Sequence, residues 1–585
     1  MASVIEHISS LFPSLFEKGT WIAWLVGILV SYVGTEISNR FVRDRYEWKL
    51  FLRIIVIDIS LLVVFLVCDV GWTVYAILIV PWGYLPWRKA MLDRKKVIAG
   101  RTDGKRNNDL DRYHYLLWLE SRSLTSWEIR TYLLPAMDIL FEIGAIRQLE
   151  ERLAHLEKQY GEEYGWKKLK SYIYHNRQEY RRMLDILIPF EKSGRLSGEE
   201  SFRTILNIYC AYRNLDDTEG INIYIRKIEQ MVFERKQYAV EALDDLLYHY
   251  EINGNVEGIG KILGIVDGIQ TKNVNRYLEI QDLRYMHNKR IGNRQENMAM
   301  LDRMMEKYEA MVEDDEEKCR FGLRMLRLYF ENDYGWKEIS LLMFNNAETY
   351  LTYSPTIAFE YMEAVMNILQ NAQSIRNMSL TADMQRRLSG QIVRHIDIYL
   401  PDYDRELIDL PDDFLYRKKE MLMRKVTYNR IKGELQHNVH ESFCEIDRLE
   451  RKIIALCRFN GEERESLHFL VVQTDDVLAY YDAIELNVSQ GIKDEDIIAA
   501  HKDRDVYMDI VRRNVREIEE VIRNNEYNRT LAYYIFYLAY FQYRLGNKDA
   551  AILALHKFRE TKVSIRNFTI AIQRLYQKMV ADIEQ

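Results

Sequence analysis

The sequence predicts an all-α protein in which N-terminal transmembrane helices are followed by a cytoplasmic α-solenoid of helical hairpins. Three apolar stretches within residues 20–88 favour membrane spans. The 585-residue chain has only 8 prolines and 26 glycines, so long helices have few interruptions. Turn signals after the apolar stretches recur at intervals near 38 residues, which is typical of stacked helix pairs.

The membrane domain is predicted over residues 20–88, with helices at about 20–38, 50–68 and 71–87. A helix needs roughly 20 residues to cross the hydrocarbon core, and about 17 are tolerated. The first stretch reaches this length only if Glu36 is included near one end. Tryptophans flank the stretches, as they do at the two interfaces of a bilayer.

The distribution of basic residues predicts the orientation of these helices. Residues 36–49 carry four Lys and Arg side chains and residues 88–106 carry eight, whereas residues 1–19 carry one. The positive-inside rule therefore places the short N terminus, 1–19, outside and the large domain in the cytoplasm. Five widely spaced cysteines agree with a reducing compartment. We expect an integral protein of the plasma (inner) membrane.

Two features of the predicted spans have functional and structural interpretations. Asp58 lies within the second span, and Arg53 lies near its cytoplasmic end. Asp58 is either part of an ion path or a hydrogen-bonded carboxyl that packs between helices. The small residues Gly27, Ser31 and Thr35 recur every four positions in the first span, so another helix can approach closely, within the chain or in a homo-oligomer.

Residues 89–111 are predicted to form a basic juxtamembrane linker. Its charge either follows the orientation rule alone or also binds anionic headgroups, at about 1 kcal/mol per basic residue. The whole chain has a net charge of −7, with both signs interspersed. This composition argues against nucleic acid as a partner.

A helical-repeat array is predicted over 112–400, with short turns around Gly144, Asp216, Gly254, Gly292 and 332–333. An acidic connector is expected at 401–414 and a second helical region at 415–585. Within that region, residues 415–460 fit one long helix or a helix pair. Residues 467–472 fit either a short strand or a buried helix, and residues 487–505 look like a polar break.

Residues 530–558 carry one specific hairpin pattern. Ala539 and Ala551 are 12 residues apart on two helical segments, and Gly546 occupies the turn between them. This stretch resembles a tetratricopeptide repeat, in which small residues at these places let the two helices touch. It departs from the family at Gln542 and Phe558, where an aromatic and a small residue are usual, and at 563, which is usually proline. The resemblance implies a superhelix whose concave face suits peptides or protein segments.

No phosphate-binding loop, zinc-protease motif or nucleophile-elbow motif occurs in the sequence, and no cofactor is predicted. The best metal candidate is the set His437, Glu441 and Cys444, which would share one face of a single helix. The simpler interpretation is an amphipathic helix with an incidental His pair.

These observations favour a membrane-anchored cytoplasmic scaffold or adaptor whose repeats bind a protein or peptide partner. The predicted partners are therefore the lipid bilayer and a cytoplasmic protein or peptide. The first alternative is an oligomeric, channel-like membrane effector gated by its cytoplasmic domain. The second is an enzyme of unrecognised type, although the motifs found favour a non-enzyme.

Overall fold

The computed structural model describes residues 88–584, except for 101–104, 161–163, 195, 197, 270–273, 312–314, 372–375, 437–438, 492–494, 524–530, 562, 564, 566–567 and 569. The chain divides into two compact units, with the boundary between Leu140 and Phe141. In the described residues every regular element is helical, as the all-α prediction requires.

The described part of the first unit contains helices α1 (88–99), α2 (Lys105–Glu120) and the beginning of α3 (126–142). Helix α3 passes through a π-helical turn at Ile129–Leu133 before it continues as Leu134–Glu142. Tyr115 of α2 donates a 3.3 Å hydrogen bond to the carbonyl of Leu92, which is fully buried. The expected basic linker at 89–111 is therefore largely helical, because one face of α1 is buried.

The second unit consists of consecutive helices joined by short turns. They are α4 (Ile146–Tyr160), α5 (Tyr164–Asn176), α6 (Tyr180–Lys192), α7 (Gly198–Asn214), α8 (Thr218–Glu234), α9 (Leu243–Ile252), α10 (Val256–Asp267), α11 (Val274–Arg290), α12 (Arg294–Met311), α13 (Asp315–Glu331), α14 (Trp336–Phe344), α15 (Ala347–Tyr353), α16 (Pro355–Leu369), α17 (Ala382–Asp409), α18 (Leu415–Gln436), α19 (Val439–Phe459), α20 (Glu463–Ser489), α21 (Glu495–Lys502), α22 (Arg504–Arg523), α23 (Ala532–Arg544), α24 (Lys548–Glu560) and α25 (Ile570–Glu584).

Helices α5 to α14 form hairpins that turn at a residue with positive φ, and the turn before α4 has such a residue as well. These turn residues are Gly144, Gln178, Asp216, Gly254, Gly292 and Asp333, so that the intervals are 34, 38, 38, 38 and 41 residues. The predicted turns at Gly144, Asp216, Gly254, Gly292 and 332–333 thus coincide with real ones, and the turn at Gln178 is additional. The unit is a helical-repeat solenoid of hairpins.

The same backbone hydrogen bond closes the turns from Gln178 to Asp333. The amide of Asp217 donates to the carbonyl of Tyr212 at 3.1 Å, and the amide of Asn255 donates to the carbonyl of Tyr250 at 2.8 Å. This six-to-one bond is the Schellman arrangement, which needs a left-handed residue between the two helices. Equivalent bonds close the turns at 178, 292 and 333, and those at 461 and 546 in the later hairpins.

Two neighbouring hairpins also share a tight packing contact. A Cβ on Gly220 would lie 2.2 Å from the ring of Tyr212, and a Cβ on Gly258 would lie 2.9 Å from the ring of Tyr250. The tyrosine near the end of the first helix therefore needs a glycine in the first turn of the second helix. The side chains of Asp217 and Asn255 cap these second helices.

Residues 401–409 are helical, which corrects the expectation of a connector beginning at 401. They form the end of α17, with Pro401 inside the helix. Tyr399 donates a 2.5 Å hydrogen bond to the carbonyl of Leu351, and Tyr403 is buried on the same helix. These contacts hold the helix on both sides of the proline, so the connection shortens to 410–414.

The remaining alternatives in the second region are also resolved. Residues 415–460 form the helix pair α18 and α19, and residues 467–472 are buried helix within α20. The expected polar break at 487–505 is largely helical, because α20 extends to Ser489 and α21 fills Glu495–Lys502. One apolar core lies among buried residues from Tyr180 to Ile280, and another among buried residues from Leu422 to Met579.

The predicted membrane helices at 20–38, 50–68 and 71–87, and the N terminus at 1–19, lie outside the described residues. Among the described helices, none has the length and apolar character needed to cross a bilayer.

We expect Gly144→Ala to destabilise the protein more than Gly254→Ala. Both glycines have positive φ, +84° and +63°, so each alanine incurs the left-handed penalty of about 1 kcal/mol. At Gly144 the new Cβ would also lie 2.4 Å from the ring of Tyr416, whereas at Gly254 nothing lies within 4 Å. Overpacking should add about 1–3 kcal/mol. Thermal unfolding of both variants measures the difference, and equal midpoints would contradict this packing.

Candidate functional site

The candidates in the predicted spans, Asp58 and Arg53, lie outside the described residues, as do the small residues Gly27, Ser31 and Thr35. Their roles in ion conduction or helix packing stay predictions.

Two of the three predicted metal ligands lie on a described helix. His437 lies outside the described residues, because α18 ends at Gln436 and α19 begins at Val439. Glu441 and Cys444 are exposed on α19. The thiol of Cys444 lies 3.8 Å from Nε2 of His440 in the preceding turn. Metal binding by the three predicted residues stays a prediction.

The tetratricopeptide-like hairpin consists of α23 and α24. Ala539 and Ala551 are both fully buried, and Gly546 has a φ of +78°. Gln542, where the family prefers an aromatic residue, is buried and accepts a 2.8 Å hydrogen bond from the side chain of Asn547. A hydrogen bond to the turn thus takes the place of an aromatic packing contact.

A cavity of about 460 Å³ lies between the first helices of two successive hairpins, α5 and α7. We call it the α5–α7 groove. Its lining residues come from α5, α6 and α7 and are Lys168, Ser171, Tyr172, Leu187, Glu199, Glu200, Arg203, Thr204 and Asn207. Leu187, Ser171 and Thr204 are buried and form the floor. The charged residues of α7 are exposed at the rim.

The groove residues present several kinds of hydrogen-bonding group. Arg203 and Glu199 form a 2.9 Å ion pair one helical turn apart. The floor hydroxyls are directed to their own helices, because Ser171 donates to the carbonyl of Lys168 and Thr204 donates to the carbonyl of Glu200, both at 2.7 Å. The half-buried side chains of Lys168, Tyr172 and Asn207 therefore offer an ammonium group, an aromatic ring and an amide beside these hydroxyls.

Polar contacts connect the first helices of the following hairpins. Arg213 of α7 pairs with Asp245 of α9. Glu251 of α9 accepts from Arg290 at 2.7 Å and lies 2.6 Å from Nδ1 of the buried His287, both on α11. These contacts fix the spacing between the first helices α7, α9 and α11. Helix α7 also forms one wall of the α5–α7 groove.

The next pair of first helices has the same kind of contact. Tyr285 of α11 donates a 2.7 Å hydrogen bond to Glu331 of α13, and Arg324 of α13 pairs with Asp282 of α11. Four consecutive first helices, from α7 to α13, are therefore joined by side-chain pairs.

The turn between α3 and α4 also contacts the second helical region, far along the chain. The side chain of Asn460 donates a 2.6 Å hydrogen bond to the carbonyl of Gly144, and the amide of Tyr416 donates at 2.8 Å to the carbonyl of Ile143. The hydroxyl of Tyr416 accepts from Asn176 of α5 at 2.7 Å. We call this set the closing junction, since it joins the first hairpins of the second unit to α18 and α19.

A buried ion cluster lies beside the closing junction. In the described residues, Cys457, Glu462 and Glu465 place one potential metal ligand each within 4.8 Å of one another. However, the ammonium of Lys419 lies 3.1 Å from Glu462 and 2.6 Å from Glu465. Burial raises the pKa of the Cys457 thiol to about 12, which disfavours the thiolate that a metal needs. The cluster therefore fits an internal ion pair.

Burial by itself lowers the pKa of Lys419, but the carboxylates of Glu462 and Glu465 outweigh it, so its pKa lies above the usual range. Lys419 is therefore fully charged near neutral pH. Its contribution to stability is present below the ordinary lysine pKa and is lost only as the pH rises through the elevated value.

A second buried cluster lies between α18, α19 and α20. Glu450 is only 2% exposed, and within the described part of the chain neither of its carboxyl oxygens accepts a hydrogen bond. Arg430 lies 4.0 Å from Glu450 but pairs more closely with Asp476, at 2.5 Å. Burial and the negative charge of Asp476 raise the pKa of Glu450 far above its usual range. Glu450 is therefore a buried neutral carboxyl.

We expect Glu450→Gln to stabilise the protein above about pH 5. In the unfolded chain Glu450 ionises near its ordinary pKa of about 4.3, whereas in the folded protein it keeps its proton. The native Glu450 thus makes stability fall as the pH rises, and the neutral amide removes this loss, which is of order 1–3 kcal/mol near pH 7. Thermal midpoints at pH 5 and pH 8 measure the effect.

Glu441→Gln, which changes an exposed carboxyl on the same helix, provides the control for that comparison. A shift for Glu450→Gln that is equal at the two pH values would contradict a buried neutral Glu450.

Comparisons with known proteins give no family. No family model matches the chain, and no curated protein matches it. Among solved structures, the chain is similar to a monomeric mutant of IFIT1 with Gppp-AAAA. The identity is 10%, with 77% of this chain and 94% of that chain covered and a TM-score of 0.18. It is also similar to a circular tandem repeat protein with novel repeat topology and enhanced subunit contact surfaces. There the identity is 12%, the coverage 85% and 94%, and the TM-score 0.15. At these TM-scores neither likeness extends to function.

Proposed function

We propose that this protein is a scaffold whose helical repeats bind an extended segment of a partner protein, and that residues 20–88 hold it at a membrane. The observation that carries the proposal is the α5–α7 groove, which lies between the first helices of successive hairpins. A repeat array positions such a groove without further structure, because each hairpin adds one first helix to the same side.

The chemistry of the α5–α7 groove suits a peptide main chain. The amide of Asn207 has both a donor and an acceptor, which match the carbonyl and N–H groups of an extended segment. Lys168 and Arg203 offer cationic donors to acidic side chains or carbonyls, and Tyr172 offers a flat apolar surface. The floor hydroxyls already bond to their own helices, so specificity would come from these larger side chains.

Side-chain contacts between the first helices support a preorganised binding surface. The pairs Arg213–Asp245 and Arg290–Glu251 hold α7 against α9 and α9 against α11 before any partner arrives, which supports the α7 wall of the groove. A rigid surface loses little conformational entropy on binding, which favours affinity.

Membrane attachment is supported by the sequence. The apolar stretches, the flanking tryptophans and the basic residues after position 87 are the features expected of spans with a cytoplasmic C-terminal domain. A tethered scaffold would concentrate its partner at the membrane surface.

We expect a photo-reactive p-benzoylphenylalanine in place of Asn207 to cross-link a partner in cells of the native source. The same amino acid in place of Ile223, which is 48% exposed on the second helix α8, should not capture that protein. Arg203→Glu, combined with the probe at Asn207, should reduce capture by about tenfold, since it places a third carboxylate at the rim beside Glu199 and Glu200. Equal capture at both probe positions, or capture that ignores Arg203→Glu, would argue against a peptide groove here.

We expect the full chain to stay with membranes washed in alkaline carbonate, because three predominantly apolar spans together give very strong insertion. A chain beginning at residue 88 should lose this carbonate-resistant attachment. Release of the full chain by carbonate would remove the membrane part of the proposal and leave the groove unaffected.

A further inference from the structure

The first turn of α1 is tied to the loop that precedes α3. Arg88 donates to the carbonyl of Ser123 at 2.6 Å and to a carboxylate oxygen of Glu128 at 2.9 Å. Glu128 is buried, and it also accepts from the amide of Thr125 at 2.9 Å. Burial disfavours the ionised carboxylate, but the hydrogen bonds from Arg88 and Thr125 outweigh it and lower the pKa of Glu128. Residues 121–130, which comprise the connection after α2 and the first turn of α3 and which we call the Trp127 loop, are therefore held beside residue 88.

The exposed side chains of the Trp127 loop are aromatic and basic. Trp127 is 54% exposed, which is unusual for the largest apolar side chain. Arg122 and Arg130 are exposed in the same loop, and Lys89 is exposed on the adjacent turn of α1. Glu128, the carboxylate within the loop, faces inward to Arg88, so the outward surface has an excess of positive charge.

A second aromatic group lies next to this surface. The guanidinium of Arg122 lies 5.1 Å from the ring centre of Trp118, and the ammonium of Lys95 lies 5.9 Å from the same ring. Indole rings surrounded by basic groups are the combination that proteins place at the bilayer interface.

We propose that the Trp127 loop lies in the headgroup layer of an anionic bilayer, with Trp127 at the acyl boundary and Arg122, Arg130 and Lys89 among the lipid phosphates. This inference rests on the membrane attachment in the proposed function. Residue 88 directly follows the predicted third span at 71–87, so its side chain emerges at the cytoplasmic interface. The bonds from Arg88 then bring the Trp127 loop to the same depth.

In the proposed arrangement α1 runs away from the bilayer, so that its other end lies farther from the lipid. Val97 is nine residues beyond Arg88, which corresponds to about 14 Å along a helix that leaves the membrane. Val97 is 57% exposed, nearly the same as Trp127, and therefore serves as a matched position. If the Trp127 loop lies at the interface and α1 points away from it, Trp127 contacts lipid and Val97 does not.

The test uses the full chain reconstituted in vesicles of phosphatidylcholine with phosphatidylserine. Trp127→Cys and Val97→Cys are each introduced into a chain with Cys444→Ser, because Cys444 is an exposed native thiol. Each is labelled with an environment-sensitive fluorophore, and the labelled Cys444→Ser parent supplies the background. Lipids with bromine near the top of the acyl chain quench the label on contact. Arg122→Cys gives a second position in the Trp127 loop.

We expect labels at Trp127→Cys and Arg122→Cys to be quenched at least about twofold more than the label at Val97→Cys, because interfacial side chains reach the upper acyl chain. Replacing phosphatidylserine with phosphatidylcholine should reduce the quenching, since the basic residues are attracted to an anionic surface and not to a neutral one. Thermal midpoints equal to that of the parent show that the labelled chains are folded.

Flotation of the same vesicles separates the two proposals. If the full chain does not float with vesicles, both the membrane attachment and the headgroup contact are wrong. If the chain floats but the label at Trp127→Cys is quenched no more than the label at Val97→Cys, the headgroup contact is overturned and the attachment stands. Quenching at Trp127→Cys that is equal with and without phosphatidylserine overturns the preference for an anionic surface.

Discussion

The hairpins from α5 to α14 each depend on one residue that adopts a left-handed backbone between two helices. That conformation lets the amide after it reach back five residues to a carbonyl of the first helix, as from Asn255 to Tyr250. The chain reverses direction there, and the second helix packs against the first. Because the reversal recurs every 34–41 residues from Gly144 to Asp333, the first helices fall on one side in register. The groove, and the pairs that connect the first helices, follow from this spacing.

Local signals explain which parts of this fold could be predicted. Glycine marks a left-handed position because it has no Cβ, so Gly144, Gly254 and Gly292 could be found directly. Aspartate also tolerates this conformation, so Asp216 and Asp333 carry a weaker signal. Glutamine seldom adopts it, so the sequence does not mark the turn at Gln178, where φ is +58°. At this turn the amide of Glu179 donates to the carbonyl of Tyr174. Both groups belong to the backbone, so the identities of the side chains do not reveal the bond.

The site residues were harder to predict, because they meet only in three dimensions. The α5–α7 groove takes Lys168 from one hairpin and Asn207 from the next, and neither residue belongs to a recognisable motif. One repeated pair does carry a signal. Tyr212 and Tyr250 are 38 residues apart, and each is followed eight residues later by a glycine. This repeat indicates helix packing within a hairpin. The buried carboxyl of Glu450 lies in an amphipathic pattern that looks solvated in sequence. Burial among three helices is a property of the tertiary structure, and one glutamate in the sequence does not reveal it.

The closing junction has a consequence for how the protein folds and evolves. An open solenoid can gain or lose a repeat, because each repeat contacts only its neighbours and stability accumulates along one dimension. Here a bond joins Gly144 to Asn460, which are 316 positions apart. Forming this bond closes a very long loop, which costs chain entropy and is slow. We therefore expect the closing junction to form late in folding, after the first hairpins of the second unit are in place. Deleting a single repeat would shift the two partners out of register. Such a chain is expected to tolerate changes in repeat sequence far better than changes in repeat number.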